Sequence, residues 1–168
     1  DRAMQALYAL ALAPIAESLA DPNSYGFREG RGCADALEQC FTVLARKTSA
    51  PEVLEGDIRA CFDELSQEWL LAHVPMDKRL LRAWLQAGYG ERDQLHLTLA
   101  GTPQGGLISP LLANFALDGM EQALHAATQP GDKVNLVRYA DDFVVTGATR
   151  VLLEQKAQPA LTAFLHPR

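Results

Sequence analysis

Residues 134–147 read VNLVRYADDFVVTG, two short apolar runs on either side of the adjacent aspartates Asp141 and Asp142. The runs have strand length and strand composition, and Asp is disfavoured inside a strand. The pattern predicts an antiparallel hairpin, VNLVRYA against FVVTGA, with Ala140-Asp141-Asp142 at its tip. One aspartate at such a turn needs no functional explanation, because its side chain bonds nearby backbone groups. Two adjacent carboxylates repel each other and gain from a cation.

A second segment carries the same conflict. PEVLEGDIRACF, residues 51–62, predicts a strand with Val53, Glu55, Asp57 and Arg59 on one face and Leu54, Gly56 and Ile58 on the other. An aspartate within a strand is costly to bury without a partner. Pairing this strand with the hairpin brings Asp57 beside Asp141 and Asp142. Carboxylates gathered in that way suit Mg²⁺, which takes oxygen ligands and often shares them with substrate phosphates. Two such ions can activate a hydroxyl and stabilise a leaving pyrophosphate. Asp63 is expected to N-cap the next short helix, and Asp118 and Asp132 to be solvated.

The rest of the chain predicts mostly helix. Residues 1–19 have helical periodicity, with Pro14 as a kink or as the start of a second helix. DPNSYGFREGRG is a loop. CADALEQCFTVLARKT returns to helical spacing through Ala34, Leu37, Phe41 and Leu44. SQEWLLAHV has Ser66 as its N-cap, and MDKRLLRAWLQAG ends at Gly88. ERDQLHLTLAG alternates at Leu95, Leu97 and Leu99 and reads as a strand or hairpin. After the loop TPQGG, one helix is predicted over 109–127, capped by Ser109. It should lie against the sheet and bury Leu112, Phe115 and Leu124. A last helix begins near Thr149 or Arg150.

Composition limits the function classes. The 168 residues suffice for one domain, and no apolar run approaches a membrane span. Asp1 falls inside a helical pattern and the end, AFLHPR, is abrupt, so a piece of a longer protein is expected. Cys33, Cys40 and Cys61 lack C-x-x-C spacing, and His73, His96, His125 and His166 are scattered. Neither a disulfide framework nor a zinc site is expected, and a reduced, cytoplasmic setting fits. The net charge of −6 counts against a phosphate-backbone binder, which usually has a basic face.

Four segments in order resemble the reverse transcriptases encoded by mobile group II introns. NSYGFREGRGCADALEQC resembles the family's second conserved block, and VLEGDIRACFDELSQEWLL its palm motif A. AGTPQGGLISPLLANFALDGMEQAL resembles motif B, and RYADDFVV motif C. The resemblance implies an RNA-directed DNA polymerase acting on an RNA template, a DNA primer and dNTPs, with intron RNA as a further partner. It implies that Asp57, Asp141 and Asp142 are catalytic. With the Ile58 backbone carbonyl they would hold two Mg²⁺ ions, Mn²⁺ being a possible substitute. Phe62 takes the place of the aromatic gate that selects deoxynucleotides. Gln104 and Gly105 match the motif B pair at the incoming nucleotide, with Arg2 on the fingers side. Tyr139 and Ala140 would line the floor beneath the primer end, and Arg28 and Arg31 would touch template.

The implied fold is α/β (α+β): a polymerase palm, 51–168, with a small antiparallel sheet packed on helices on one face, plus a partial helical fingers region, 1–50. The implied location is cytoplasmic, bacterial in type and nucleoid-associated through nucleic acid, with no membrane partner. Two other classes fit parts of the pattern. An RNA-binding maturase fragment without catalysis would not need the carboxylates, TPQGG or Phe62. A nucleotide cyclase would also place acidic residues on a hairpin, but leaves motif B unexplained.

Overall fold

The computed structural model describes residues 2–91, 94–96, 100–103 and 105–168. Helix α1 (Arg2–Leu19) contains Pro14 and continues through it. The loop 20–32 leads into α2 (Cys33–Leu44), where the Gly32 amide donates to the Asp35 carboxylate (2.6 Å). Strand β1 (Glu52–Asp57) alternates half-buried and exposed residues, as a period of two requires. Ala60, at φ 50°, turns the chain into the single turn α3 (Cys61–Glu64).

Helix α4 (Gln67–His73) is capped as expected, the Ser66 hydroxyl accepting from the Trp69 amide (3.1 Å). Asp63 does not cap it: α3 fills the interval, and Asp63 lies within that turn. Helix α5 (Lys78–Leu85) begins at Asp77, whose carboxylate accepts from the Arg79 and Leu80 amides. Strands β2 (Tyr89–Glu91) and β3 (Gln94–His96) form the expected hairpin. Leu97 and Leu99 lie outside the described residues.

The single helix expected over 109–127 is two, α6 (Ser109–Leu117) and α7 (Met120–Ala127). Gly119 stands between them at φ 101°, a left-handed conformation that ends a right-handed helix. Ser109 is the first helical residue rather than the cap, and its hydroxyl donates to the Pro103 carbonyl (3.1 Å). A short 3₁₀ turn (Pro130–Asp132) precedes β4 (Asn135–Tyr139) and β5 (Asp142–Gly147). Thr149 then caps α8 (Arg150–Leu152), which runs through a π-helical turn (Leu153–Ala157) into α9 (Gln158–Leu165).

The chain forms two compact units. One comprises Asp1–Leu19, Ala60–Ala116 and Pro167–Arg168. Its core joins Leu12 and Ala16 of α1 to Leu70, Leu81 and Trp84 of α4 and α5. Leu112 and Phe115 of α6 are buried in this helical core, not against the sheet as expected. The break at Gly119 explains the difference, since the apolar stripe of α6 does not continue into α7.

The other unit comprises Ala20–Arg59 and Leu117–His166 and contains the antiparallel sheet β1-β5-β4. The expectation of helices on one face of that sheet is corrected at β4, where Leu136, Val137 and Arg138 are all buried. Consecutive residues face opposite sides, so β4 is covered on both. Val137 packs with Tyr25 and Ala36, on the side of α2. Leu37 and Phe41, expected to follow the packed stripe of α2, are 65% and 73% exposed. Ala36 with Cys40 and Val43 packs instead, small side chains that permit close approach to the strand. Leu124 of α7 is fully buried in this unit.

Gly119→Ala should destabilise the protein by about 1–2 kcal/mol, the cost of placing a Cβ in left-handed backbone. A Cβ there would also press on the Phe164 ring, 3.3 Å away. Urea unfolding measures the effect, and an unchanged midpoint would contradict it.

Candidate active site

Two strand-borne carboxylates meet at one end of the sheet, with a third in the adjoining turn. Asp57, the last residue of β1, is the register partner of Asp142, the first residue of β5. Directly opposed residues of an antiparallel pair hold their Cβ atoms roughly 5 Å apart on the same face. Both aspartates are exposed, and Asp141, half-buried, precedes Asp142 in the turn. The Ile58 amide donates to the Asp141 carbonyl (3.1 Å), which fastens the turn to the end of β1. Tyr139 pairs with Asp142, so its ring shares this face, and it is 40% exposed.

Like charges directly across a strand pair destabilise it. Among the described residues no basic side chain bonds the carboxylates of Asp57, Asp141 or Asp142. The donors are all oxygen, which suits a hard cation. Among the described residues they do not already close into a three-ligand cage.

The turn that presents the pair is built from behind. Tyr139 and Asp142 leave two loop residues between them, and the first, Ala140, has φ 57°. Positive φ at this position matches the twist of a tight hairpin. Gly26 lies against it: a Cβ there would sit 2.2 Å from the Ala140 nitrogen. The segment 23–25 runs along the outer edge of β4. The Arg138 amide donates to Asn23 and the Tyr25 amide to the Arg138 carbonyl, both at 2.9 Å.

Arg138 itself is fully buried. Its Nη1 donates to the Ala140 carbonyl (3.1 Å) and its Nη2 to the Asp118 carboxylate (2.5 Å). Asp118 was expected in solvent, yet its side chain is only 6% exposed. Burial raises its pKa to about 6, against the attraction of Arg138. Asp21, also buried, accepts from the Gly119 and Glu121 amides (3.0 and 3.2 Å) and so caps α7. Asp132, likewise expected in solvent, is half-buried and accepts from the Gln129 amide (3.0 Å).

Arg28 and Arg31 have structural partners. Arg28 Nη1 donates to the Asp21 and Ser24 carbonyls (2.8 and 2.7 Å), and Arg31 Nη1 to Pro22 and Ser24 (2.6 and 3.2 Å). Arg31 also lies over the Tyr25 ring. These bonds shape the loop that supports the turn.

Other predicted residues gather in the helical unit. The Phe62 carbonyl accepts from the Thr102 amide (2.7 Å), which ties α3 to the TPQGG loop. The Phe62 ring is half-buried against the helical core. Gly105, at φ 78°, offers its carbonyl to Arg2 Nη2 (3.5 Å). Gln104 lies outside the described residues.

The sequence profile described as "Reverse transcriptase (RNA-dependent DNA polymerase)" matches residues 1–165. The chain belongs to the reverse transcriptase family. It is 35% identical over 128 residues to the "Group II intron-encoded protein LtrA" of Lactococcus lactis subsp. cremoris, covering 73% of this chain and 21% of that protein. It is 37% identical over 128 residues to the "Uncharacterized 91 kDa protein in cob intron" of Schizosaccharomyces pombe, covering 73% of this chain and 16% of that protein. The chain therefore spans about a fifth or less of either relative. An apo telomerase from Candida tropicalis shares the fold, with a TM-score of 0.54 at 17% identity over 97% of this chain and 35% of that one. The resemblance to group II intron reverse transcriptases and the α/β class both hold. No described helix is long and apolar enough to cross a membrane.

Arg138, Asp118 and Asp21 escaped the sequence-based list of site residues. The available signal was an arginine inside the apolar strand NLVRYA, a charge that needs a buried partner.

The raised pKa of Asp118 has a definite consequence for stability. The folded state holds its proton more tightly than the unfolded chain, so this group's contribution is full below about pH 4. It is lost as pH rises through about 6. The stability difference between wild type and Asp118→Asn should therefore shift against wild type from pH 4 to pH 6.5. Urea titrations across that range measure it, and a constant difference would refute the assignment.

Proposed function

We propose that this reverse transcriptase domain extends a DNA primer on an RNA template, as a polymerase of the group II intron type. The observation that carries the reading is the opposition of Asp57 and Asp142, with Asp141 beside them, at the open end of a sheet. Two like charges in register cost stability unless a cation joins them. In the proposed reaction the primer 3′-oxygen forms a bond to the α-phosphorus of a dNTP. The bond to the bridging oxygen breaks, pyrophosphate leaves, and the hydroxyl proton passes to solvent.

Asp57, Asp141 and Asp142, with the Ile58 carbonyl, would hold two Mg²⁺ ions, or Mn²⁺ in their place, which supply charge neutralisation and an acidified hydroxyl. Tyr139 and the Ala140 backbone are proposed to support the primer end on the carboxylate face. Phe62 is proposed to bar a ribose 2′-hydroxyl. Gln104, Gly105 and Arg2 are proposed to meet the nucleotide. Gly105 is suited to this because backbone without a Cβ allows close approach. Arg28 and Arg31 are proposed to act on the template through the loop they brace. Residues 1–50 would be fingers and 51–168 palm, with intron RNA as a further partner in a cytoplasmic setting.

Asp141→Asn combined with Asp142→Asn should lower dNTP incorporation on poly(rA)/oligo(dT) by about a thousand-fold or more, since metal-ion stabilisation is worth several kcal/mol. The intact protein is assayed with Mg²⁺ and with Mn²⁺. Incorporation at the wild-type rate would overturn the reading.

A further inference from the structure

We propose that Arg138 is a positioning residue for the polymerase reaction: held by Asp118, it fixes the Ala140 carbonyl and through it the angle at which Asp141 and Asp142 leave the turn. The proposal rests on the reading of those aspartates as the reacting site. Register places Asp57, Tyr139 and Asp142 on one face of the sheet. Arg138, one residue before Tyr139, points to the opposite face. It therefore has no access to substrate and acts from behind.

Three features favour positioning over plain core packing. The guanidinium is 0% exposed, although an apolar residue would fill the same volume without a desolvation cost. Its two bonded nitrogens go to different structural elements, Nη1 to the turn and Nη2 to the segment between α6 and α7. That segment is itself anchored, because Asp21 binds the Gly119 and Glu121 amides just beyond Asp118. The guanidinium is thus a rigid planar link between a fixed point and a left-handed turn residue. Lysine, a single point charge, cannot span both acceptors with that geometry. Gly26 closes the other side of Ala140 and leaves the turn little room to adjust.

The test separates position from stability. Arg138→Met alone leaves the buried Asp118 carboxylate without its ion-pair partner, held by the Asp21 amide and the charge of Arg28, and is expected to unfold readily. The double variant Arg138→Met with Asp118→Leu removes both buried charges, an exchange that is often neutral or stabilising. It leaves the Ala140 carbonyl without its guanidinium donor. In the intact protein this variant should melt close to wild type. Its kcat for dNTP incorporation should fall about 10- to 100-fold, the range a displacement near 1 Å produces. KM for primer-template should stay within about two-fold. Arg138→Lys should recover less than about a tenth of wild-type kcat, because one charge cannot hold both partners.

Hydrogen exchange gives a readout independent of catalysis. The Ile58 amide, which bonds the Asp141 carbonyl, should exchange about ten-fold faster in the double variant. The Val145 amide, within β5, should be unchanged. A stable double variant with wild-type kcat and wild-type Ile58 exchange would overturn the proposal. Wild-type protein that incorporates no dNTP would instead overturn the polymerase reading, and Ile58 exchange would then decide the role of Arg138 alone.

Discussion

A buried guanidinium organises the end of the sheet that carries Asp57, Asp141 and Asp142. Arg138 links the left-handed residue of the hairpin turn to Asp118, and the loop 20–32 closes around both. Burying this charge is expensive, and only a full set of hydrogen bonds offsets the loss of water. The surrounding sequence meets that demand at Nη1 and Nη2 but not at Nε, which has no hydrogen-bond partner among the described residues. Asp118 supplies the counterion, Asn23 and Tyr25 bond the strand's main chain, and Gly26 yields the space that the turn occupies. The loop whose glycines and arginines suggest contact with nucleic acid has a nearer task. Arg28 and Arg31 hold its carbonyls, and the loop holds the turn.

On the opposite face the electrostatics are reversed. Three carboxylates stand together where water and a cation can reach them, with register bringing two into direct opposition. The net charge of −6 weakens any general attraction for a phosphate backbone. The two faces of β4 and β5 differ in charge: behind, a positive charge is locked in protein, and in front, negative charges stand near solvent.

Local chemistry was legible wherever it was decided within a few residues. The hairpin at 134–147, the alternation of β1, the cap at Ser66 and the start of the last helix near Thr149 follow from strand period and side-chain hydrogen bonding. The carboxylate cluster was legible because an aspartate in a strand is anomalous in itself. What escaped depended on distant partners. Gly119 is an ordinary residue in a helical pattern until its φ is known. Asp118 looks solvated because its partner lies twenty residues later in the chain. Leu37 and Phe41 have the right spacing to pack, yet β4 approaches the face with smaller side chains. Periodicity identifies a helix but does not choose between two apolar stripes when the partner is unknown.

The same limit explains why motif order reveals function sooner than architecture. The segments at 23–40, 53–71 and 100–124 each look like one functional block, yet the structure assigns their residues by physical need. Within one block, Asp57 ends a strand of the sheet unit, while Phe62 turns its ring into a helical core and gives its carbonyl to the TPQGG loop. Within another, Leu112 serves the helical core, and Asp118, beyond the end of α6, serves the sheet. Adjacent residues can therefore share a motif for separate reasons, one set facing substrate and the other shaping the backbone that presents it. Arg138 and Asp141 are the clearest case. They are three residues apart, one buried behind the sheet and the other in the turn, and the carbonyl of Ala140 links the guanidinium to that turn.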